Sequence, residues 1–85
     1  MIVSYSKTFI KKAKKLPPKQ RQQLTERIEL FINNPLDTTL NNHPLKGKYK
    51  EYRSINIAGD LRALYLQKDE EVIFDTVGTH SQLYG

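Results

Sequence analysis

The chain has 85 residues, 14 Lys+Arg against 9 Asp+Glu, a formal net charge of +5 and 38% hydrophobic residues. That is one domain spanning 1–85, with enough apolar content for a small core and too much for a disordered tail. It has no cysteine, which excludes disulfides, thiolate zinc sites and a thiol nucleophile.

Met1–Tyr5 carries β-branched residues and reads as a short strand. Ser6 is suited to cap a helix. Phe9, Ala13 and Leu16 recur at i, i+4, i+7 beyond it, with Ile10 alongside, and Lys7, Lys11, Lys12, Lys14 and Lys15 fill the remaining positions. This predicts an amphipathic helix with a basic outer face. Pro17-Pro18 ends it and opens a second helix, in which Leu24, Ile28 and Phe31 repeat the spacing until Asn33-Asn34-Pro35.

Residues 36–44 read as a polar connection. From Gly47 the period changes to two. Tyr49, Glu51, Arg53, Ile55 and Ile57 share one face of an extended segment, and Lys50, Tyr52, Ser54 and Asn56 share the other. Ala58-Gly59-Asp60 is a turn, and 61–67 is a second strand, apolar on both faces apart from Arg62. Lys68-Asp69-Glu70-Glu71 is a hairpin loop, 72–77 a third strand, and 78–85 a short tail. The expected fold is α+β in the order β-α-α-β-β-β. It is a small, mostly antiparallel sheet with the helical hairpin packed on one face and the other face free.

No apolar run exceeds Ala63-Leu64-Tyr65-Leu66, so no membrane span is expected, and the N-terminus does not read as a signal peptide. The expected address is the cytoplasm. Positive charge is concentrated: residues 1–21 hold seven cations and no acid, and residues 43–62 are net +3. Two basic blocks of this kind suit a polyanion or an acidic protein partner; the Lys7–Lys15 block reads as an electrostatic footprint that would steer the protein to ribosomal RNA, or as a solvated helix face.

Phosphate-binding glycine loops, the H-E-x-x-H zinc motif and the G-x-S-x-G nucleophile elbow are all missing. What remains is a polar set in the strand half: His43, Lys46, Lys48, Lys50, Arg53, Asp60, Arg62, His80 and Tyr84. Cleavage of RNA by its own 2′-hydroxyl needs such a set. A base takes the hydroxyl proton, an acid protonates the departing 5′-oxygen, and cations stabilise the phosphorane. Histidine serves as acid or base near neutral pH, arginine forks onto phosphate oxygens, and tyrosine stacks on a base or donates a proton. The same residues would also make an RNA-binding surface without catalysis.

The blocks His43-Pro44-Leu45-Lys46-Gly47, Tyr52-Arg53, Gly59-Asp60, Leu61-Arg62-Ala63-Leu64-Tyr65 and Gly78-Thr79-His80-Ser81-Gln82-Leu83-Tyr84 resemble the RelE/ParE toxin superfamily. The similarity is greatest to its YafQ-type branch of type II toxin–antitoxin toxins and covers the whole chain. The resemblance implies a ribosome-dependent mRNA endoribonuclease acting in the ribosomal A site. It would leave a 2′,3′-cyclic phosphate and need no metal or other cofactor. The implied partners are a cognate antitoxin, the ribosome and mRNA, and operator DNA reached through the antitoxin.

Carried over by position, His43, Asp60 and His80 fall on acid/base sites of the branch, with His80 the acid and Asp60 or His43 the base. Arg62 falls on the superfamily's phosphate clamp and Tyr84 on its C-terminal aromatic position. Arg53, Lys46, Lys48 and Lys50 are the accompanying RNA-binding cations. Two positions depart from the pattern: Asn56 stands where the branch can have a further histidine, and Leu61 where it can have tryptophan. The rival expectations are a gyrase-inhibiting toxin of the ParE kind without nuclease activity, and a non-catalytic RNA-binding module.

Overall fold

The computed structural model describes residues 1–84. Strand β1 (Ile2–Tyr5) leads into helix α1 (Lys7–Lys14) and helix α2 (Pro18–Asn33). Strands β2 (His43–Pro44), β3 (Tyr52–Ala58), β4 (Leu61–Lys68) and β5 (Glu71–Thr79) follow, and helix α3 (His80–Tyr84) closes the described chain. All five strands form one sheet in the order β1-β5-β4-β3-β2. Only the β1–β5 pairing is parallel; the others are antiparallel.

The helical hairpin forms where the apolar spacing requires it. The Ser6 Oγ accepts from the Phe9 amide at 3.0 Å, capping α1, and donates to the Asp75 carbonyl at 2.7 Å, tying that cap to β5. Phe9 is the buried residue of α1, and Leu24, Ile28 and Phe31 are those of α2. They pack on the sheet face made by Ile55, Ile57, Leu61, Ala63, Tyr65, Val72, Phe74 and Val77. Phe31 sits amid the aromatic part of this core, its ring centroid 4.9 Å from Tyr65 and 5.4 Å from Phe74.

Two irregularities interrupt the ladders, between Asn56 and Ala58 and between Leu64 and Tyr65. Each leaves one residue without a register partner, Ile57 in β3 and Asp75 in β5. The helical half takes up the carbonyl at both points: Arg27 Nε donates to the Ile57 carbonyl at 3.2 Å, and Ser6 Oγ to that of Asp75. Bulges unpair backbone groups, and these two have been given new partners.

Four expectations are corrected. The segment from Tyr49 does not enter the sheet; β3 begins at Tyr52, and Gly47–Tyr49 is a single 3₁₀ turn opened by Gly47 at φ +65°. The connection 36–44 is not all loop, because His43 and Pro44 pair with Ser54 and Arg53 as an edge strand. Proline is tolerated there for want of a further neighbour. The end of the chain is not a loose tail: Gly78 and Thr79 complete β5, and residues 80–84 are helical. Nor is the second sheet face free. Ser54, Leu64 and Leu83 are buried outside the main core cluster, because α3 folds back over that face.

Candidate active site

Alternation along the strands sorts the polar residues. Ser54 and Arg62 project opposite to Ile55 and Ala63, away from the helical hairpin. The β2–β3 pairing sets His43 directly beside Ser54, and the β4–β5 pairing sets Arg62 beside Gly78. One residue past Gly78 the chain turns into α3, which brings His80 and Tyr84 over the same face.

The result is an open cleft of about 360 Å³ lined by Asn41, His43, Leu45, Ser54, Arg62, His80 and Tyr84. Four of the residues expected from sequence, His43, Arg62, His80 and Tyr84, thus meet in one place. The His80 and Tyr84 rings lie 4.8 Å apart, one helical turn from each other on α3.

Local chemistry prepares each of them. Asn41 takes a left-handed conformation, φ +45°, and its carbonyl lies 2.7 Å from His43 Nδ1. A carbonyl only accepts, so Nδ1 carries the proton and the neutral ring keeps its lone pair on Nε2. The Arg62 Nη1 donates to the Gly59 carbonyl at 2.7 Å and to that of Leu61 at 3.3 Å. These bonds fix one arm of the guanidinium fork. Burial pushes the Tyr84 phenol above its usual pKa, against the opposing influence of the Ser54 hydroxyl and the Arg62 charge. Tyr84 is therefore a neutral hydroxyl at physiological pH, able to donate a hydrogen bond.

The other expected residues lie elsewhere. Asp60 is exposed on the β3–β4 turn and does not line the cleft. Arg53 lies on the helix-facing side, where its Nε donates to Asn42 Oδ1 at 2.9 Å; the Tyr65 hydroxyl donates to the same oxygen at 3.0 Å. That shared acceptor anchors the loop leading to His43. Lys46, Lys48 and Lys50 are exposed around the Gly47–Tyr49 turn, with Lys48 Nζ 5.3 Å from the Tyr49 ring centroid.

Asn41, Leu45 and Ser54 are not site candidates from sequence: alternation puts Ser54 on the polar face of its strand, but only pairing with the two-residue strand at His43, which has no periodicity of its own, brings it to the cleft. Alternation puts Tyr49 on one face of an extended segment. Its hydroxyl instead donates to the Leu83 carbonyl of α3 at 2.8 Å. Asn56 Oδ1 is buried without a hydrogen-bond partner among the described residues, and Leu61 belongs to the core.

A helical hairpin packed on one face of a five-stranded sheet is a fold found in solved toxin structures. The RelE toxin in the RelB–RelE antitoxin–toxin complex from Methanococcus jannaschii shares it with a TM-score of 0.75 at 27% identity, over 94% of this chain and 93% of that one. The family model for the bacterial toxin of type II toxin–antitoxin systems, YafQ, matches residues 1–85, and the chain belongs to that family. The mRNA interferase toxin YafQ of Escherichia coli K12 is 35% identical over 69 residues, covering 79% of this chain and 75% of the relative. The crystal structure of YafQ from E. coli BL21(DE3) superposes with a TM-score of 0.80 at 32% identity, covering 98% of this chain and 97% of that one. YafQ in the E. coli DinJ–YafQ complex gives 0.77 at the same identity, with the same shares of each chain covered.

Proposed function

We propose that the protein is an mRNA interferase, a ribosome-dependent endoribonuclease held inactive by a cognate antitoxin. The observation that carries this reading is the convergence of two histidines, an arginine and a neutral tyrosine in one open cleft. Membership of the YafQ family and the printed activity of the E. coli relative support it. The relative solved with DinJ and the RelE solved with RelB support an antitoxin partner, through which operator DNA would be reached.

The reaction follows from the donors and acceptors in the cleft. His43 Nε2 takes the proton of the 2′-hydroxyl, whose oxygen attacks the adjacent phosphorus. The bond from phosphorus to the 5′-oxygen breaks as His80, in its protonated form, gives that oxygen a proton. The products are a 2′,3′-cyclic phosphate and a free 5′-hydroxyl. The uncommitted arm of Arg62 forks onto the phosphorane oxygens. Tyr84 orients the substrate by stacking or by hydrogen bonding. His43 is favoured over Asp60 as base because it lines the cleft. Lys7–Lys15, Lys46, Lys48 and Lys50 supply the attraction for ribosomal and messenger RNA, which weakens as salt rises.

The test is single-turnover cleavage of a defined mRNA, free and bound to programmed ribosomes. Cutting on the ribosome alone, leaving a cyclic phosphate end, supports the reading. A folded protein that cuts neither substrate overturns it and leaves a gyrase-inhibiting or purely RNA-binding role.

A further inference from the structure

The helix that carries His80 is only five residues long, well below the ~12–15 at which an isolated helix becomes even marginal in water. Its position must come from outside its own backbone. Two devices supply it. Thr79 and Gln82 bond reciprocally: the Thr79 amide donates to Gln82 Oε1 at 2.8 Å, and the Gln82 amide donates to Thr79 Oγ1 at 3.2 Å. This is a capping box written T-x-x-Q, and His80 is the first residue inside it.

The second device reaches the helix from the Gly47–Tyr49 turn. The Tyr49 hydroxyl donates to the Leu83 carbonyl at 2.8 Å, and the Tyr49 ring meets the Tyr84 ring nearly edge-on at 5.4 Å. Gly78 lets the helix lie this close, since a Cβ there would come within 3.1 Å of Gln82 Oε1 and 3.3 Å of Leu83 Cδ2.

We propose that Thr79, Gln82 and Tyr49 are positioning residues for His80. The capping box fixes the backbone direction from which the imidazole leaves β5, and Tyr49 holds the far end of the helix against the sheet. Together they set the imidazole where the leaving oxygen must be protonated. The proposal rests on the reading of His80 as the general acid. None of the three is offered as touching substrate.

The decisive variant is Thr79→Val, which keeps size and branching and removes the hydroxyl acceptor; Thr79→Ser restores the acceptor. Tyr49→Phe keeps the ring and removes the bond to Leu83. The readouts are the single-turnover cleavage rate, the affinity for ribosomes, and the His80 ring-proton resonances in NMR, which the Tyr84 ring current shifts.

Thr79→Val is expected to slow cleavage about five- to tenfold with ribosome affinity unchanged, Thr79→Ser to stay within about twofold of the parent, and Tyr49→Phe to slow it several-fold. The His80 resonances should move toward those of free histidine in Thr79→Val and not in Thr79→Ser. Parent-like rates in both Thr79→Val and Tyr49→Phe overturn the proposal, as does a Thr79→Ser variant as slow as Thr79→Val. If Thr79→Val does not fold, Tyr49→Phe decides alone. If the parent protein cuts nothing, the nuclease reading falls, and the His80 resonances alone decide the positioning, unchanged shifts overturning it.

Discussion

The two faces of the sheet are built to different rules. The helix-facing side is closed, with the Phe9, Phe31 and Tyr65 rings each against Phe74 and even the bulge carbonyls claimed by Ser6 and Arg27. The opposite side is open. It holds a cleft, a buried amide oxygen at Asn56 with no hydrogen-bond partner among the described residues, and a short helix held by a few side-chain hydrogen bonds. The first face supplies cohesion by burying apolar area. The second leaves polar groups available, which limits how much area it buries. A small domain can afford a cleft on one face because the other is densely packed.

Substitutions should separate the two faces. The largest effect is expected on the open face: His80→Ala should reduce cleavage by roughly 10²–10⁴-fold, the scale of a positioned acid, with the circular dichroism spectrum and thermal midpoint close to the parent's. Full activity in that variant would remove His80 from the mechanism. On the closed face, Phe31→Ala should cost ~3–5 kcal/mol in denaturant unfolding, a large share of the stability of a domain this small. Residual folded protein should still bind ribosomes.

Tyr52 tests the seam between strands. Its hydroxyl donates to Asp75 Oδ2 at 2.8 Å, and that hydrogen bond, with burial, raises its pKa above the ordinary phenol value of 10. A raised pKa in the folded state means that the fold holds the phenol proton more tightly than the unfolded chain does. The stabilisation is therefore complete below pH ~10 and is lost as pH rises through the folded-state value. Tyr52→Phe should cost ~0.5–1.5 kcal/mol at neutral pH and flatten the loss of stability above pH ~10, both readable from unfolding midpoints measured across pH.

The smallest effect belongs to Asn56. Replacing it with valine removes a buried acceptor that has no partner among the described residues, so stability should rise by up to ~1 kcal/mol. A thermal midpoint that falls instead would mean the amide contributes more to this face than its unpaired oxygen suggests.

Much of this was legible along the chain. The helical hairpin followed from Phe9, Leu24, Ile28 and Phe31, because a helix that packs on one side must repeat near 3.6 residues. Strand β3 followed from alternation, which had already grouped Arg53 with Ile55 and Ile57 on the face where it is found, and β4 followed from a run apolar on both faces apart from Arg62. Of the cleft, His43, Arg62, His80 and Tyr84 were named on residue chemistry and resemblance. The T-x-x-Q of Thr79–Gln82 is also a capping signal in the sequence, one that the fold uses.

The sequence by itself determined the elements whose signal is local: two amphipathic helices, the three strands of the second half, a basic first helix and a family likeness across the whole chain. Only the tertiary structure decided that Ile2–Tyr5 would pair in parallel with residues 71–74, that two residues around His43 would become an edge strand, and that the last described residues would fold back as a helix. These depend on contacts between distant parts of the chain, whose closure entropy is offset only once the core has formed. A two-residue strand and a five-residue helix have too little local signal to announce themselves. The cleft lies where such elements meet, so its residues could be named from the sequence, while its geometry had to come from the fold.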